Sequence, residues 1–210
     1  MHFAKTRLLC LENTVGGKVV TPAYMQSATD FARSKGLACH LDGARAFNAA
    51  VKLGIGISDI CCYFDSVSLC LSKGLGAPAG SVLVGSKDLI DRARRWRKML
   101  GGGMRQTGFL AAAGLYALEH NVNRLSEDHA RTQELGMALS SISGFKLEAE
   151  PDTNMLFLNL EPGYFKQLSD YLQANDVLVT GQRWVIHKDI DDNNIKTLID
   201  LCQQFAADHG

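Results

Sequence analysis

The chain has 210 residues, with 22 lysines and arginines against 22 aspartates and glutamates, so its formal net charge is zero. That balance argues against a protein that works mainly by binding nucleic-acid phosphates, because such binding favours an excess of positive charge. Hydrophobic residues make up 46% of the chain and charged residues 21%, which excludes a disordered, collagen-like or coiled-coil protein. The length suffices for one large globular domain or two modest ones.

The six cysteines do not form a disulfide or zinc pattern, because there is no Cys-x-x-Cys and no Cys/His pairing at ligand spacing. Cys10, Cys39 and Cys70 lie inside apolar runs, where cysteine acts as a small buried hydrophobic residue. We therefore predict free thiols in a reducing, cytoplasmic environment. No apolar run approaches the roughly 18 to 20 residues that span a bilayer, so no membrane partner is expected.

The first half of the chain reads as short apolar strands alternating with helices. Strands are predicted at residues 7–12, 37–41, 66–72 and 81–84, and helices at residues 22–35, 44–53, 87–100 and 107–122. Pro22 suits the first position of a helix. Strands separated by helices of this length imply βαβ units and a mostly parallel sheet.

The pattern changes in the second half, where the predicted strands become shorter. Strands are predicted at residues 145–149, 155–160, 177–180 and 184–187, and helices at residues 126–141, 164–174 and 190–207. We place a boundary near residues 120–126, which gives domains of residues 1–122 and 123–210.

Charged residues follow two predicted strands at the point where each strand ends. Asp42 follows the strand at 37–41 and Lys73 the strand at 66–72, and each is followed by glycine. In open α/β sheets, ligands bind beyond the carboxyl ends of the strands. An amine and a carboxylate there suit pyridoxal phosphate (PLP). The amine can bond to the cofactor aldehyde, and the carboxylate can keep a proton on the pyridine nitrogen.

Further cations are candidates for the same site. Arg45 lies three residues after Asp42, one helical turn along, so both side chains can point into one pocket. Lys98 and Arg105 flank the glycines at 101–103, and cations beside bare glycine amides suit a phosphate dianion. The zero net charge makes a nucleic-acid role for this basic segment the weaker interpretation.

Several separated motifs together resemble one enzyme family. They are HLDGAR at 40–45, CLSKGLG at 70–76, RWRKMLGGGMRQ at 95–106, LCLENT at 9–14 and DTNM at 152–155. The chain strongly resembles the low-specificity L-threonine aldolases over essentially its whole length. The resemblance implies an α/β fold, the aminotransferase-like fold type I of PLP enzymes. Residues 1–122 would be the C-terminal part of the large PLP-binding domain, and 123–210 a small α+β domain. It also implies cleavage of threonine and other β-hydroxy-α-amino acids to glycine and an aldehyde.

The resemblance assigns five residues to the cofactor. It implies that Lys73 is the cofactor lysine, that Asp42 pairs with the pyridine nitrogen and that Arg45 lies near the phenolic oxygen. Lys98 and Arg105 match positions that reach toward the cofactor phosphate, in a neighbouring subunit of the oligomer.

Two residues are assigned to the amino-acid substrate in the same way. Arg183 matches the arginine that grips the substrate carboxylate, a task that suits its two-pronged guanidinium. His2 matches a histidine near the substrate hydroxyl, a general-base position. The resemblance further implies a homo-oligomer, dimeric or tetrameric.

Other interpretations stay open. One is a related β-eliminating lyase of the same fold. Another is a truncated, non-catalytic fragment or one piece of a two-chain assembly. The family's chain begins well before Met1, so this chain corresponds to roughly the last three-fifths of the enzyme.

Overall fold

The computed structural model describes residues 3–209, which form two compact units. The first unit extends to Arg124 and the second begins at Leu125. The elements in chain order are β1 (Leu8–Glu12), α1 (Pro22–Ser34), β2 (Ala38–Gly43), α2 (Ala46–Leu53), α3 (Ile57–Cys61), β3 (Ser66–Cys70), β4 (Ser81–Gly85), α4 (Lys87–Met99), α5 (Gly108–His120), α6 (Leu125–Ser140), β5 (Met155–Phe157), α7 (Pro162–Ala174), β6 (Arg183–Val185) and α8 (Asp192–His209).

The first unit is built on a four-stranded sheet in the order β1-β2-β3-β4. β1, β2 and β3 are parallel, and β4 runs antiparallel to β3. Helix α1 connects β1 to β2, and α2 with α3 connects β2 to β3. The predicted βαβ units and mostly parallel sheet are therefore confirmed, and the carboxyl ends of three strands lie at one edge.

The two faces of this sheet differ in chemistry. One face is apolar and buried, and includes Cys39, Leu41 and Val67. Strand register places two rows on the other face, which is half-buried or exposed: Cys10, His40 and Ser66 in one row, and Glu12, Asp42 and Ser68 in the next. Polar side chains thus lie along this face up to the carboxyl ends of the strands.

The second unit has its own core around the antiparallel pair β5–β6. Helices α6, α7 and α8 contribute buried Leu139, Leu168 and Phe205 to this core. The Phe205 ring packs edge-on against Tyr164, with ring centroids 5.2 Å apart. β5 and β6 therefore pack against a buried apolar core.

Most predicted elements are present, but two predicted strands were wrong and one helix was not predicted. The strand predicted at 145–149 is reduced to a single bridge between Leu147 and Leu158. No strand forms at 177–180, and helix α3 was not predicted. The start of α1 was predicted correctly at Pro22, where the Thr21 hydroxyl accepts the Tyr24 N–H at 3.3 Å.

All six cysteines are free, as predicted. The predicted burial is confirmed for Cys39 but was wrong for Cys10, which is exposed, and Cys70, which is half-buried, because both lie on the polar face of the sheet. Within residues 3–209, no helix combines the length and the apolar character needed to cross a membrane.

Candidate cofactor site

Asp42 lies near the end of β2, at the carboxyl edge of the sheet, with its side chain exposed. Its Oδ1 accepts the N–H of Ala44 at 3.0 Å, which fixes the direction of the carboxylate. Gly43 follows because β2 passes close to β3 here: a Cβ at this position would lie 2.9 Å from the Ser68 carbonyl oxygen. Any larger residue would therefore displace the strand that carries Asp42.

Lys73 follows the neighbouring strand, three residues after β3 ends at Cys70, and its side chain is exposed. Within the described part of the chain, its Nζ forms no hydrogen bond or ion pair, so the amine is available to a ligand. The charge of this amine affects the pKa of the Cys70 thiol. Burial raises the pKa of Cys70, but hydrogen bonds with Ser72 and the charge of Lys73 outweigh burial, and the net pKa is lowered.

The backbone that carries Arg45 differs from the predicted helix. The chain from 43 to 45 is not helical, because β2 continues to Gly43 and Arg45 is the N-cap of α2, with φ −130° and ψ 25°. The expectation that Arg45 lies one helical turn from Asp42 was therefore wrong. Asp42 belongs instead to β2, and Arg45 to the turn between β2 and α2, where it is half-buried.

The end of β1 adds polar groups that the sequence-based site did not include. Glu12 lies directly beside Asp42 in the strand register, so two carboxylates share this edge. The Asn13 N–H donates to the Asp42 carbonyl oxygen at 3.1 Å. Thr14 is buried, and its hydroxyl has no hydrogen-bond partner among the described residues. A buried hydroxyl without a partner is a group that a ligand or a further segment can satisfy.

Lys98 and Arg105 lie on either side of the glycine turn after α4, and both are exposed. The turn does not present a row of bare amides, so that part of the prediction was wrong. The Gly101 N–H donates to the Lys98 carbonyl and the Gly102 N–H to the Arg97 carbonyl, at 3.2 and 2.8 Å. These bonds cap the helix, so two of the three glycine amides are already paired within the chain.

Arg183 belongs to the second unit, where it is the first residue of β6. Its side chain is exposed and lines a groove of about 600 Å³ that also includes Thr180, His187 and Asn194. The ladder places it opposite Phe157 of β5. His2, the predicted general base, lies outside the described residues.

The residues of the first unit fit PLP. The cofactor requires a free amine near a carboxylate, and Lys73 and Asp42 supply both at the ends of the adjacent strands β2 and β3. The second carboxylate, Glu12, adds negative charge beside Asp42, and negative charge favours a protonated pyridine nitrogen at this edge. The described residues contain no cluster of three or more side chains suited to a metal ion.

Comparison with known proteins places this geometry among related chains. The sequence model of the family described as "Beta-eliminating lyase" matches residues 1–162. The low specificity L-threonine aldolase of Escherichia coli K12 is 48% identical over 210 residues, which are 99% of this chain and 62% of that protein. The chain thus spans about three-fifths of the length of this relative.

Solved structures share the fold at lower identity. A threonine aldolase from Leishmania major is 19% identical with a TM-score of 0.79, over 95% of this chain and 61% of that one. A serine palmitoyltransferase variant from S. paucimobilis with a bound PLP–myriocin aldimine is 17% identical with a TM-score of 0.74, over 98% of this chain and 55% of that one. The α/β fold of PLP enzymes that the resemblance implied is therefore confirmed, over part of its length.

Proposed function

Since the chain belongs to the beta-eliminating lyase family, we propose that it is part of a PLP-dependent aldolase. The enzyme cleaves L-threonine and L-allo-threonine to glycine and acetaldehyde by a retro-aldol reaction. The observation that carries this proposal is the position of Asp42 and Lys73 at the carboxyl ends of β2 and β3, each with an exposed side chain. The likeness to threonine aldolases over the whole chain supports the substrate class.

Each predicted residue has a distinct task in this reaction. PLP, when bound, supplies an electron sink for the negative charge left on Cα when the Cα–Cβ bond breaks. Lys73 anchors the cofactor through its amine and exchanges protons at the substrate. Asp42, directed by the Ala44 N–H, holds a proton on the pyridine nitrogen. Arg45 binds the phenolic oxygen, for which a cation is the suitable partner.

The substrate is held and deprotonated by two further residues in this proposal. Arg183 binds the carboxylate through both prongs of its guanidinium, and that contact orients the bond to be broken. His2 accepts the proton of the β-hydroxyl group as general base. Loss of that proton allows the hydroxyl carbon to leave as an aldehyde.

The proposal includes a homo-oligomer, dimeric or tetrameric, in which Lys98 and Arg105 reach the cofactor phosphate of a neighbouring subunit. The surface of α4 and the following segment supports an interface. None of the α4 residues is buried, and Trp96, Leu100 and Phe109 are 60, 81 and 92% exposed. Exposed apolar groups at this density mark interaction surfaces. Light scattering at several concentrations measures the oligomeric state.

Titration with PLP tests the cofactor assignment. We expect the chain to develop the visible absorption band of lysine-bound PLP, and Lys73→Ala to abolish it, because Lys73 follows β3, the strand that pairs with the strand carrying Asp42. The matched control is Lys52→Ala, an exposed lysine of α2 in the same unit, which should keep the band. A band of full intensity in Lys73→Ala would overturn the assignment.

Product analysis separates the proposed aldolase from a β-eliminating lyase. Incubation with L-threonine yields glycine and acetaldehyde in the first case, and a 2-oxo acid with ammonia in the second. The experiment is run with the chain alone and with the N-terminal region of a full-length relative added. Product formation only in the second sample would show that the chain is one piece of the active enzyme.

A further inference from the structure

The side chain of Gln182 forms two hydrogen bonds with the backbone of one residue. The Leu160 N–H donates to Gln182 Oε1 at 2.8 Å, and Gln182 Nε2 donates to the Leu160 carbonyl oxygen at 2.9 Å. In addition, the Leu158 N–H donates to the Gln182 carbonyl oxygen at 2.8 Å. An amide that pairs with both polar groups of one residue takes the place of a peptide group in a strand.

The register of β5 and β6 shows which peptide group is replaced. Phe157 lies opposite Arg183, so continuing the antiparallel register places Leu158 opposite Gln182 and Leu160 opposite Thr180. The Gln182 carboxamide therefore bonds to the N–H and carbonyl oxygen of Leu160, the two groups that the backbone of Thr180 would bond to if the strand continued. The backbone before Gln182 can therefore turn away from β5 while the polar backbone groups of Leu160 remain hydrogen-bonded.

The segment is also fixed beyond Arg183. Trp184 is buried, and its ring N–H donates to the Gly181 carbonyl oxygen at 2.9 Å, which closes the preceding turn. The Ile186 N–H donates to the Asn154 carbonyl oxygen, and Asn154 Nδ2 donates to the Ile186 carbonyl oxygen, both at 2.9 Å. The backbone around Arg183 is thus held on both sides while its guanidinium stays exposed in the groove.

From this geometry we propose that Gln182 is a positioning residue for Arg183. Its carboxamide fixes the backbone from which the guanidinium reaches a substrate carboxylate. A side chain held in advance loses less conformational entropy on binding, and a displaced one loses the productive geometry. The inference rests on the proposed function only for the identity of the ligand, because the restraint itself is a property of the free chain.

Two variants test the restraint directly. Gln182→Met keeps the length of the side chain and removes both hydrogen bonds, and Gln182→Glu keeps the acceptor but places an oxygen against the Leu160 carbonyl. The control is Gln173→Met, an exposed glutamine of α7. The measurements, on the ¹⁵N-labelled full chain, are amide hydrogen exchange at Leu160 and the order parameter of the Arg183 N–H.

We expect exchange at Leu160 to accelerate about tenfold in Gln182→Met, as loss of one backbone hydrogen bond predicts, and less in Gln182→Glu, which keeps the acceptor of the Leu160 N–H. The Arg183 order parameter should fall from about 0.85 toward about 0.6, and the control should change neither. A lower thermal midpoint with an unchanged order parameter at Arg183 would show a merely structural role and overturn the proposal. If one of the two variants does not fold, the Arg183 order parameter of the other variant tests the proposal.

Kinetics on the PLP-loaded chain extend the test to the ligand. Gln182→Met should raise KM for L-threonine about tenfold with little change in kcat, and should add nothing in an Arg183→Ala background. An equal effect in both backgrounds would contradict positioning through Arg183. If Arg183→Ala leaves KM unchanged, the proposed carboxylate role fails, whereas the order parameter still decides the role of Gln182.

Discussion

Replacing Asn13 with alanine tests how the end of β1 is held beside Asp42. Asn13 is completely buried. Its Oδ1 accepts the Val20 N–H at 3.2 Å, and its Nδ2 donates to the Val20 carbonyl oxygen at 3.1 Å. The substitution removes both hydrogen bonds and leaves two backbone groups of Val20 without these partners. The loop from 14 to 20 then loses these two bonds to the end of the strand.

The expected loss follows from these contacts. Two hydrogen bonds contribute about 1 kcal/mol each, and the stranded polar groups add about 1 kcal/mol of desolvation, so the free energy of unfolding should fall by about 2 to 4 kcal/mol. That is a large share of the roughly 5 to 15 kcal/mol that stabilises a typical domain. The urea midpoint should fall by about 1 M or more.

Urea denaturation followed by circular dichroism measures this loss, and hydrogen exchange at the Val20 amide assigns it to the loop. Asn175→Ala is the control, because Asn175 is exposed and its side chain makes one hydrogen bond, to the Tyr171 carbonyl at 2.9 Å. It should cost less than about 0.5 kcal/mol. An Asn13→Ala loss no larger than that of the control would refute the reasoning.

Asn13→Asp adds a dependence on pH. Burial and the facing Val20 carbonyl disfavour the ionised form, so the pKa of the introduced carboxyl rises in the folded state. A raised folded pKa means that the destabilisation is complete at pH values above that pKa. It should shrink as the pH falls toward about 4, the unfolded value. Greater destabilisation in acid would contradict this assignment of the bonds.

Two further outcomes are expected. Gly43→Ala should lower stability by about 1 to 3 kcal/mol because its Cβ would lie 2.9 Å from a backbone oxygen of β3. Gly163→Ala, where nothing lies within 4 Å, should not lower the thermal midpoint, and an equal loss in both would be inconsistent with crowding. Burial raises the pKa of Cys202 to about 12, whereas the pKa of Cys70 is lowered. After iodoacetamide treatment at pH 8, peptide mass spectrometry should therefore find Cys70 modified and Cys202 unmodified. Equal rates would contradict the burial of Cys202.

Local signals explain which elements could be predicted from the sequence. A proline at the start of α1 and glycines after strands act within a few residues, so the alternation of strands and helices in the first unit was predicted well. The positions of Asp42 and Lys73 followed, because a parallel sheet places the ends of neighbouring strands together.

Long-range contacts account for the errors. The strand predicted at 177–180 does not form, because the Gln182 side chain occupies the backbone groups of Leu160 that such a strand would need. No spacing rule foresees a side chain replacing a peptide group. The contribution of Asn13 was missed for the same reason, since its two bonds to Val20 depend on how the loop folds back.

The edge strand β4 has a consequence for the behaviour of the chain in concentrated solution. Its five residues, Ser81–Gly85, carry no charge, all are exposed, and three of them are Val or Leu. In the described part of the chain it has a neighbour on one side only, β3. Uncharged edges of this kind can pair with the same strand of another molecule. Aggregation during expression or refolding should therefore begin at β4.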